Sequence, residues 1–108
     1  MIDEKQYETA MGIITNAGTA KSCALMAIDE AAESNFEEAE KLLAEASRSM
    51  HAAHDAQMDM ISSEAKGSSV DLSLILVHAE DHLTMAIVTS DLAARMVELY
   101  RRLAASAD

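Results

Sequence analysis

The chain has 108 residues, of which half are hydrophobic, three are aromatic, three are glycine and none is proline. Its abundant alanine, glutamate, leucine and methionine favour helices, so we predict an all-α fold in a single domain covering residues 1–108. A formal net charge of −11 argues against nucleic acid and anionic membranes as partners, since both attract clustered lysine and arginine.

The first predicted helix covers residues 3–33. Its apolar seam consists of Tyr7, Met11, Ile14, Gly18, Leu25, Ile28 and Ala32. We interpret Gly18 as a point of close packing between helices. The segment MIDEKQYET contains no apolar signal core, and Cys23 has no second cysteine for an intrachain disulfide. We therefore expect a soluble protein of the cytoplasm.

The second predicted helix covers residues 35–66, and Ser34 with Glu37 fits a capping box at its start. Its apolar seam is regular and consists of Phe36, Ala39, Leu43, Ala46, Met50, Ala53, Gln57 and Met60. His51 and His54 form an H-x-x-H pair on this helix. Zinc helices more often use H-x-x-x-H with a third ligand, so the pair favours a solvated or hydrogen-bonded role over a metal site.

The third predicted helix covers residues 69–105, with Gly67 ending the second helix and Ser68 or Ser69 as the new N-cap. Short links join helices that are each about 45–50 Å long. The sequence therefore predicts an antiparallel up-down-up three-helix bundle. Wholly apolar stretches such as Leu74–Val77 are far too short to span a bilayer, so we expect no direct membrane insertion.

The third helix is apolar on two faces. At about 100° per residue, Asp81 lies at the centre of a stripe, here called the Asp81 stripe, that carries Val70, Leu74, Val77, Met85, Val88, Leu92 and Leu99. The opposite face carries Leu76, Ala79, Leu83, Ala86, Ile87, Ala94 and Val97. Two neighbouring helices cannot cover both faces, so we expect further copies of the chain to cover the Asp81 stripe in a homo-oligomer.

Asp81 is an acid in an apolar setting, with no lysine or arginine within a helical turn. Around a symmetry axis its nearest neighbours are its own copies, and two carboxylates about 4 Å apart repel by about 4 kcal/mol at an effective dielectric near 20. Such a group needs shared protons or a cation, and Mg²⁺ or Ca²⁺ is the natural candidate because both prefer oxygen ligands. The alternative is a hydrated edge of the interface, where Asp81 pairs with a base of a neighbouring chain.

His78 and His82 border the Asp81 stripe, at about 60° and about 100° from Asp81 around the helix. A lone histidine in such a position is commonly structural, but two of them beside an acid favour a functional role. Neutral imidazole is a nucleophile at physiological pH and forms covalent intermediates. Phosphoryl transfer to such a nucleophile needs mainly positioning and charge stabilisation.

The segment VHAEDHL, residues 77–83, resembles the V-H-A-Q-D-H-L-M stretch of the lactose/cellobiose-type enzyme IIA of the bacterial sugar phosphotransferase system. NAGTAKSCALMAI is similar to the first helix of that family, with its A-G-x-A-[RK]-S motif. The stretch from residue 36 to 67 is similar to the second helix, with its A-H-x-x-Q element and E-A-x-G exit. The resemblance extends over nearly all of the chain.

The resemblance implies a cytoplasmic phosphocarrier, a phosphotransferase component that takes a phosphoryl group from phospho-HPr onto His78 and passes it to enzyme IIB. The pathway would serve uptake and phosphorylation of a β-linked disaccharide such as lactose or cellobiose. His82 is the family's second histidine and Gln57 its glutamine on the second helix, and both would support His78. Asp81 matches the acid that holds a divalent metal such as Mg²⁺ at the axis of a homotrimer.

Two departures from the family pattern fall on the third helix. Glu80 stands where the family usually has glutamine, and its place on the polar arc of the helix predicts a solvated side chain. Thr84 and Met85 exchange the family's usual order at those positions. Both departures leave the histidine that would be phosphorylated unchanged.

Two other hypotheses follow from the residues alone. One is a non-catalytic helical oligomer that acts as an interaction scaffold. The other is a metal-binding bundle that uses His51, His54 and the cluster at 78–82. The H-A-x-D-H-L motif separates the phosphocarrier from the scaffold, because a scaffold does not need it.

Overall fold

The computed structural model describes residues 3–107, which form α1 (Glu4–Ala32), α2 (Phe36–Ala65) and α3 (Leu74–Ser106). The helices pack side by side in a rod of 60 × 20 × 18 Å, so each link reverses the direction of the chain. The predicted up-down-up three-helix bundle is confirmed. Within residues 3–107, no helix is both long enough and apolar enough to cross a membrane.

The face that α1 buries is lined almost entirely by alanine. Its buried residues are Ala10, Ile13, Ala17, Ala20, Cys23, Ala24, Ala27 and Ala31. α1 packs along both other helices, which touch each other much less, and small side chains let two neighbours approach one helix. The seam predicted for α1 is confirmed only in part, since it followed large apolar residues. Ile14 and Ile28 are half-buried against the core, but Tyr7, Met11 and Leu25 are exposed.

Gly18 is also not the close-packing point that the sequence predicted. It is exposed, and a Cβ atom added to it would meet no atom within 4 Å. Close approach to α1 is provided by its alanines instead. Within one chain, the glycine is not required by packing.

The turn between α1 and α2 differs from the predicted capping box. Ser34 has a φ of 64°, in the left-handed region, and its N–H donates to the carbonyl of Ala31 at 3.0 Å. The N–H of Asn35 donates to the carbonyl of Glu30 at 2.9 Å, which completes a Schellman motif at the end of α1. Asn35 is the N-cap residue of α2, without a side-chain capping bond. The capping-box prediction is wrong because Ser34 closes α1 instead of opening α2.

The end of α2 follows the prediction. Gly67 has a φ of 100°, and its N–H donates to the carbonyl of Glu64 at 3.0 Å. The N–H of Ser68 donates to the carbonyl of Ser63 at 3.0 Å, so a second Schellman motif ends this helix. Glycine suits the position because it adopts a positive φ without a steric penalty.

α3 begins later than predicted. Its N-cap is Ser73, whose side chain accepts a hydrogen bond from the N–H of Leu76 at 3.2 Å. Ser68 and Ser69 are therefore not the cap, and Val70 lies in the link before the helix. Ser68 belongs to the motif that ends α2, which leaves Ser73 as the serine directly before the apolar run.

The core of one chain is thin. Among the described residues, the largest fully buried side chains are those of Ile13, Leu83 and Val97. The predicted seam of α2 is confirmed as buried or half-buried, and so is the far face of α3 except Ala94, which is exposed. The helical members of the Asp81 stripe are instead 43% to 85% exposed, which leaves a long apolar face uncovered in a single chain.

Candidate functional site

The structure brings His78 and His82 together on the first half of α3. Their rings lie one helical turn apart, with centroids separated by 4.3 Å and planes inclined at 49°. His78 is exposed and His82 is half-buried. An incoming partner can therefore reach the His78 ring, while His82 forms part of the surface beneath it.

His82 has one ring nitrogen in a dry environment. Its Nδ1 atom is buried and, among residues 3–107, has no hydrogen-bond partner. A buried N–H without an acceptor is rare in proteins because it loses the hydrogen bond that water would give. A neutral His82 ring is therefore best accommodated with its proton on Nε2.

Gln57 and Glu80 form a pair that the sequence did not predict. The Nε2 atom of Gln57 donates a hydrogen bond to Oε2 of Glu80, and this bond joins α2 to α3. Both side chains are half-buried, so the prediction of a solvated Glu80 is wrong. The polar arc of α3 faces α2 at this point, and only the register between the two helices could have shown it.

The Gln57–Glu80 pair lies away from the histidines of its own chain. Within the described residues, Gln57 has no hydrogen bond to His78 or His82. Helical spacing places Glu80 about 160° from His78 around α3, on the side that meets α2. Support of His78 by Gln57 therefore stays a prediction that depends on neighbouring copies.

A groove of about 270 Å³ lies between the end of α2, the link and the start of α3. Its walls are mainly apolar, and three carboxylates line it, those of Glu64, Glu80 and Asp81. Asp81 is exposed, and none of the ion pairs found within residues 3–107 includes it. The described part of one chain does not group three His, Cys, Asp or Glu side chains to hold a metal ion.

His51 and His54 are exposed on α2 and border a shallow groove with Met50 and Ile87. Nδ1 of His51 donates to the backbone carbonyl of Ser47 at 2.7 Å. This contact supports the hydrogen-bonded interpretation of the H-x-x-H pair. The metal-binding bundle gains no support, since the pair has no third ligand in the part of the chain that the structure describes.

Comparisons with known proteins agree on one family. The family model of the lactose/cellobiose-specific IIA subunit of the phosphotransferase (PTS) system matches residues 8–101. The galactose-specific EIIA component of Lactococcus lactis subsp. cremoris is 45% identical over 95 residues, which cover 88% of this chain and 82% of the relative.

 The crystal structure of the cellobiose-specific enzyme IIA from Bacillus anthracis superposes with a TM-score of 0.92 at 34% identity, covering 97% of this chain and 95% of that chain.

A solved complex extends these comparisons. The solution structure of the IIA(Chitobiose)–HPr complex of Escherichia coli contains a chain that superposes with a TM-score of 0.78 at 30% identity. The match covers 94% of this chain and 98% of that chain. The three helices described here are therefore those of the matched structures over nearly their whole length.

Proposed function

We propose that the chain, which belongs to the lactose/cellobiose-specific IIA family of the phosphotransferase system, carries a phosphoryl group on His78. The observation that carries the proposal is the exposed His78 ring, which lies against the tilted ring of His82 one turn away inside the H-A-x-D-H-L stretch. The phosphoryl donor is phospho-HPr, because a IIA chain of the same fold is solved in complex with HPr. The acceptor is enzyme IIB of the same pathway.

The proposed reaction is a displacement at phosphorus. A lone pair on an imidazole nitrogen of His78 forms the new N–P bond while the bond between phosphorus and the donor breaks, and the donor atom keeps that electron pair. In the second transfer a nucleophile of enzyme IIB attacks the same phosphorus, and His78 regains its lone pair. Such transfers depend on positioning more than on acid–base chemistry, so an exposed and oriented ring is sufficient.

His82 supports the phosphorylated state in this proposal. Its ring centroid lies 4.3 Å from that of His78, and its buried Nδ1 leaves Nε2–H as the donor that can reach a phosphoryl oxygen. A hydrogen bond to the developing charge lowers the barrier to transfer without contributing to the fold. His82 is therefore a supporting residue and not the site of the N–P bond.

We infer that three copies of the chain assemble through the Asp81 stripe. The exposed apolar side chains of this stripe need a cover, and a three-fold axis would bring the Asp81 carboxylates together. These hard oxygen ligands, which have no basic partner among the described residues, fit Mg²⁺ or another divalent cation. The ion would neutralise the carboxylates at the axis, and the transfer at His78 does not pass through it.

Membership of this family also indicates where the reaction takes place and which sugars the pathway serves. The protein works in the cytoplasm, where it links HPr to the enzyme IIB of a transporter. The sugar is a β-linked disaccharide such as lactose or cellobiose. The residues around His78 meet protein partners and not the sugar, so they do not select among such disaccharides.

The proposal is tested by intact mass after incubation with phosphoenolpyruvate, enzyme I and HPr. We expect one added phosphoryl group per chain, lost on mild acid treatment. The His78→Gln variant should gain none, whereas His82→Gln should still be phosphorylated but transfer more slowly to enzyme IIB. Phosphate retained by His78→Gln would move the site elsewhere, and a wild-type chain without phosphate would favour the scaffold.

A further inference from the structure

A small groove between α2 and α3 carries polar side chains that the proposed function does not use. It has a volume of about 230 Å³ and is lined by Met50, His51 and His54 of α2 and by Ile87 of α3. Ile87 lies about 120° from Asp81 around α3, so the groove lies outside the stripe that the proposed trimer covers. Two imidazoles and a thioether therefore meet at one place on the surface of the bundle.

The His51 ring is held in an orientation that suits metal binding. Its Nδ1 atom donates to the backbone carbonyl of Ser47 at 2.7 Å, so the ring proton lies on Nδ1 and the lone pair on Nε2. Histidines that bind metals commonly donate their other ring nitrogen to a carbonyl in this way, which fixes the ring and its tautomer. Because the His51 side chain is exposed, its Nε2 atom is free to be a ligand.

The types of ligand in the groove select the kind of metal. Within residues 3–107, no histidine, cysteine, aspartate or glutamate completes the His51–His54 pair, which argues against Zn²⁺ and against hard cations. The groove does contain the half-buried thioether of Met50, which lies one helical turn before His54. Thioether sulfur is a soft ligand that favours Cu(I), and imidazole also binds copper.

We propose that Met50, His51 and His54 form a binding site for one Cu(I) ion per chain. The ligands are the sulfur atom of Met50 and one nitrogen of each imidazole, and the apolar side chain of Ile87 covers one side of the groove. The ion enters and leaves as Cu(I), so no electron is transferred. The inference is independent of the proposed function, because none of these side chains takes part in the transfer at His78.

Cys23 does not compete for the ion, although a thiolate is a soft ligand as well. Its side chain is only 8% exposed, and burial raises the pKa of the thiol, which keeps it protonated near neutral pH. The His78–His82 pair is the remaining place where imidazoles lie close together in the described residues. An experiment on the Cu(I) site therefore has to distinguish the two histidine pairs.

Competition with bicinchoninate, which is coloured when it holds Cu(I), measures the affinity of the full-length chain in anaerobic buffer. Cu(I) is added as its acetonitrile complex, and we expect one ion per chain. Met50→Leu, which keeps the size and apolar character of the side chain, should weaken binding by at least about 10-fold, since loss of even an outer partner of a metal site has this effect. His51→Gln and His54→Gln should do the same. Met26→Leu removes an exposed thioether from α1 and is the matched control, with unchanged affinity.

NMR locates the ion, because Cu(I) is diamagnetic and leaves the signals of its ligands visible. The methyl signal of Met50 and the ring signals of His51 and His54 should shift on addition of Cu(I), whereas those of His78 and His82 should not. Zn²⁺ is the second probe. Its affinity should be the same for Met50→Leu and wild type, since thioether sulfur is not among the usual ligands of zinc.

Three outcomes would overturn the inference. Shifts at His78 and His82 in place of His51 and His54 would move the site to α3. A Met50→Leu chain that binds Cu(I) as tightly as wild type would remove the thioether from the site. Several weakly bound ions per chain, with equal affinity in all variants, would indicate an adventitious ion only. Each result leaves phosphorylation of His78 unaffected, so the proposed function would stand.

Discussion

At the scale of single residues, burial separates Cys23 from His78, and both types of side chain can act as nucleophiles near neutral pH. Cys23 is only 8% exposed, and this burial, followed by the nearby Glu45 carboxylate, raises the pKa of its thiol above the ordinary value of 9.0. The thiol therefore stays protonated across the physiological range. His78, by contrast, offers an exposed imidazole to its partners.

We predict that Cys23 reacts slowly with a thiol reagent at about pH 8 in the folded protein and rapidly in urea, since the thiolate is the reactive form. Because its pKa is higher folded than unfolded, Cys23 contributes stability below the unfolded pKa, and this contribution is lost as pH rises through the folded value. The unfolding free energy of Cys23→Ala should fall less steeply than that of wild type as the pH rises from the unfolded thiol pKa through the raised folded pKa. Equal slopes, or rapid labelling of the folded chain, would contradict the prediction.

At the scale of the helices, the two Schellman motifs end α1 and α2 with different residues. Gly67 adopts its positive φ without strain, but Ser34 adopts a φ of 64° with a Cβ atom in place. A left-handed conformation costs a residue with a side chain roughly 1–2 kcal/mol relative to the right-handed one. Ser34 therefore lowers the free energy of unfolding relative to a chain with glycine at the same position.

We predict that Ser34→Gly raises the unfolding free energy by about 1 kcal/mol, because glycine removes the penalty of the left-handed conformation. The same substitution at Ser22, which is exposed in the interior of α1, is the matched control and should lower it by about 0.5 kcal/mol. Urea denaturation of both variants measures the difference. A Ser34→Gly variant that is less stable than wild type would contradict this, because the serine side chain would then stabilise the fold by more than its left-handed backbone conformation costs.

The sequence predicted all three helices, but it predicted the buried face of a helix only where large apolar residues mark that face. The seam of α2 and the far face of α3 were found in this way, and Gly67 marked the end of α2. The buried face of α1 was missed because alanine, common everywhere in a helix, does not stand out from its neighbours. The late start of α3 was missed because Ser68 and Ser73 are equally suited to cap a helix.

The candidate site was predicted only in part, for a similar reason. His78 and His82 were placed together because both lie on one helix, where spacing fixes their separation. The Gln57–Glu80 pair joins two helices, and its existence depends on their relative register, which no local pattern encodes. Contacts within an element were therefore accessible from the sequence, and contacts between elements were not.

At the scale of the whole molecule, the apolar surface is distributed unevenly. The alanine face of α1 gives a thin core, while the long side chains of the Asp81 stripe remain outside it. Apolar area removed from water stabilises by roughly 25 cal/mol per Å². Assembly through this stripe would therefore add substantially to the stabilising free energy that apolar burial provides within one bundle. In the proposed trimer, fold and assembly would depend on opposite faces of α3.

We predict that EDTA lowers the melting temperature of the native protein at neutral pH, because a cation bound only to the assembled state stabilises it by about 2.7 kcal/mol at 100 times its Kd. Asp81→Leu should be insensitive to EDTA and at least as stable, since well-packed apolar groups often match buried charges. Its His78 should still be phosphorylated. Asp91→Leu, which changes an exposed acid outside the stripe, is the matched control and should keep the EDTA response.

Sedimentation with and without Mg²⁺ provides the second measurement for the same pair of proteins. The native chain should sediment as a trimer, and Asp81→Leu should do so under both conditions. A native protein that stays monomeric at tens of micromolar, or an Asp81→Leu variant that dissociates, would show that the carboxylates do not meet at an axis.

The buried and exposed sides of α1 differ in how well they tolerate substitution, because alanine lines the buried side. A buried alanine such as Ala17 or Ala24 can be exchanged only for glycine, which weakens a helix by about 1 kcal/mol, or for something larger that overpacks the contact by about 1–3 kcal/mol. An exchange for glycine removes only one methyl group, so no exchange at these positions opens a large cavity. Substitutions in α1 are therefore tolerated mainly on its outer side, where residues such as Leu25 and Met26 are exposed. Changes there can alter the surface that α1 presents to other proteins without disturbing the core.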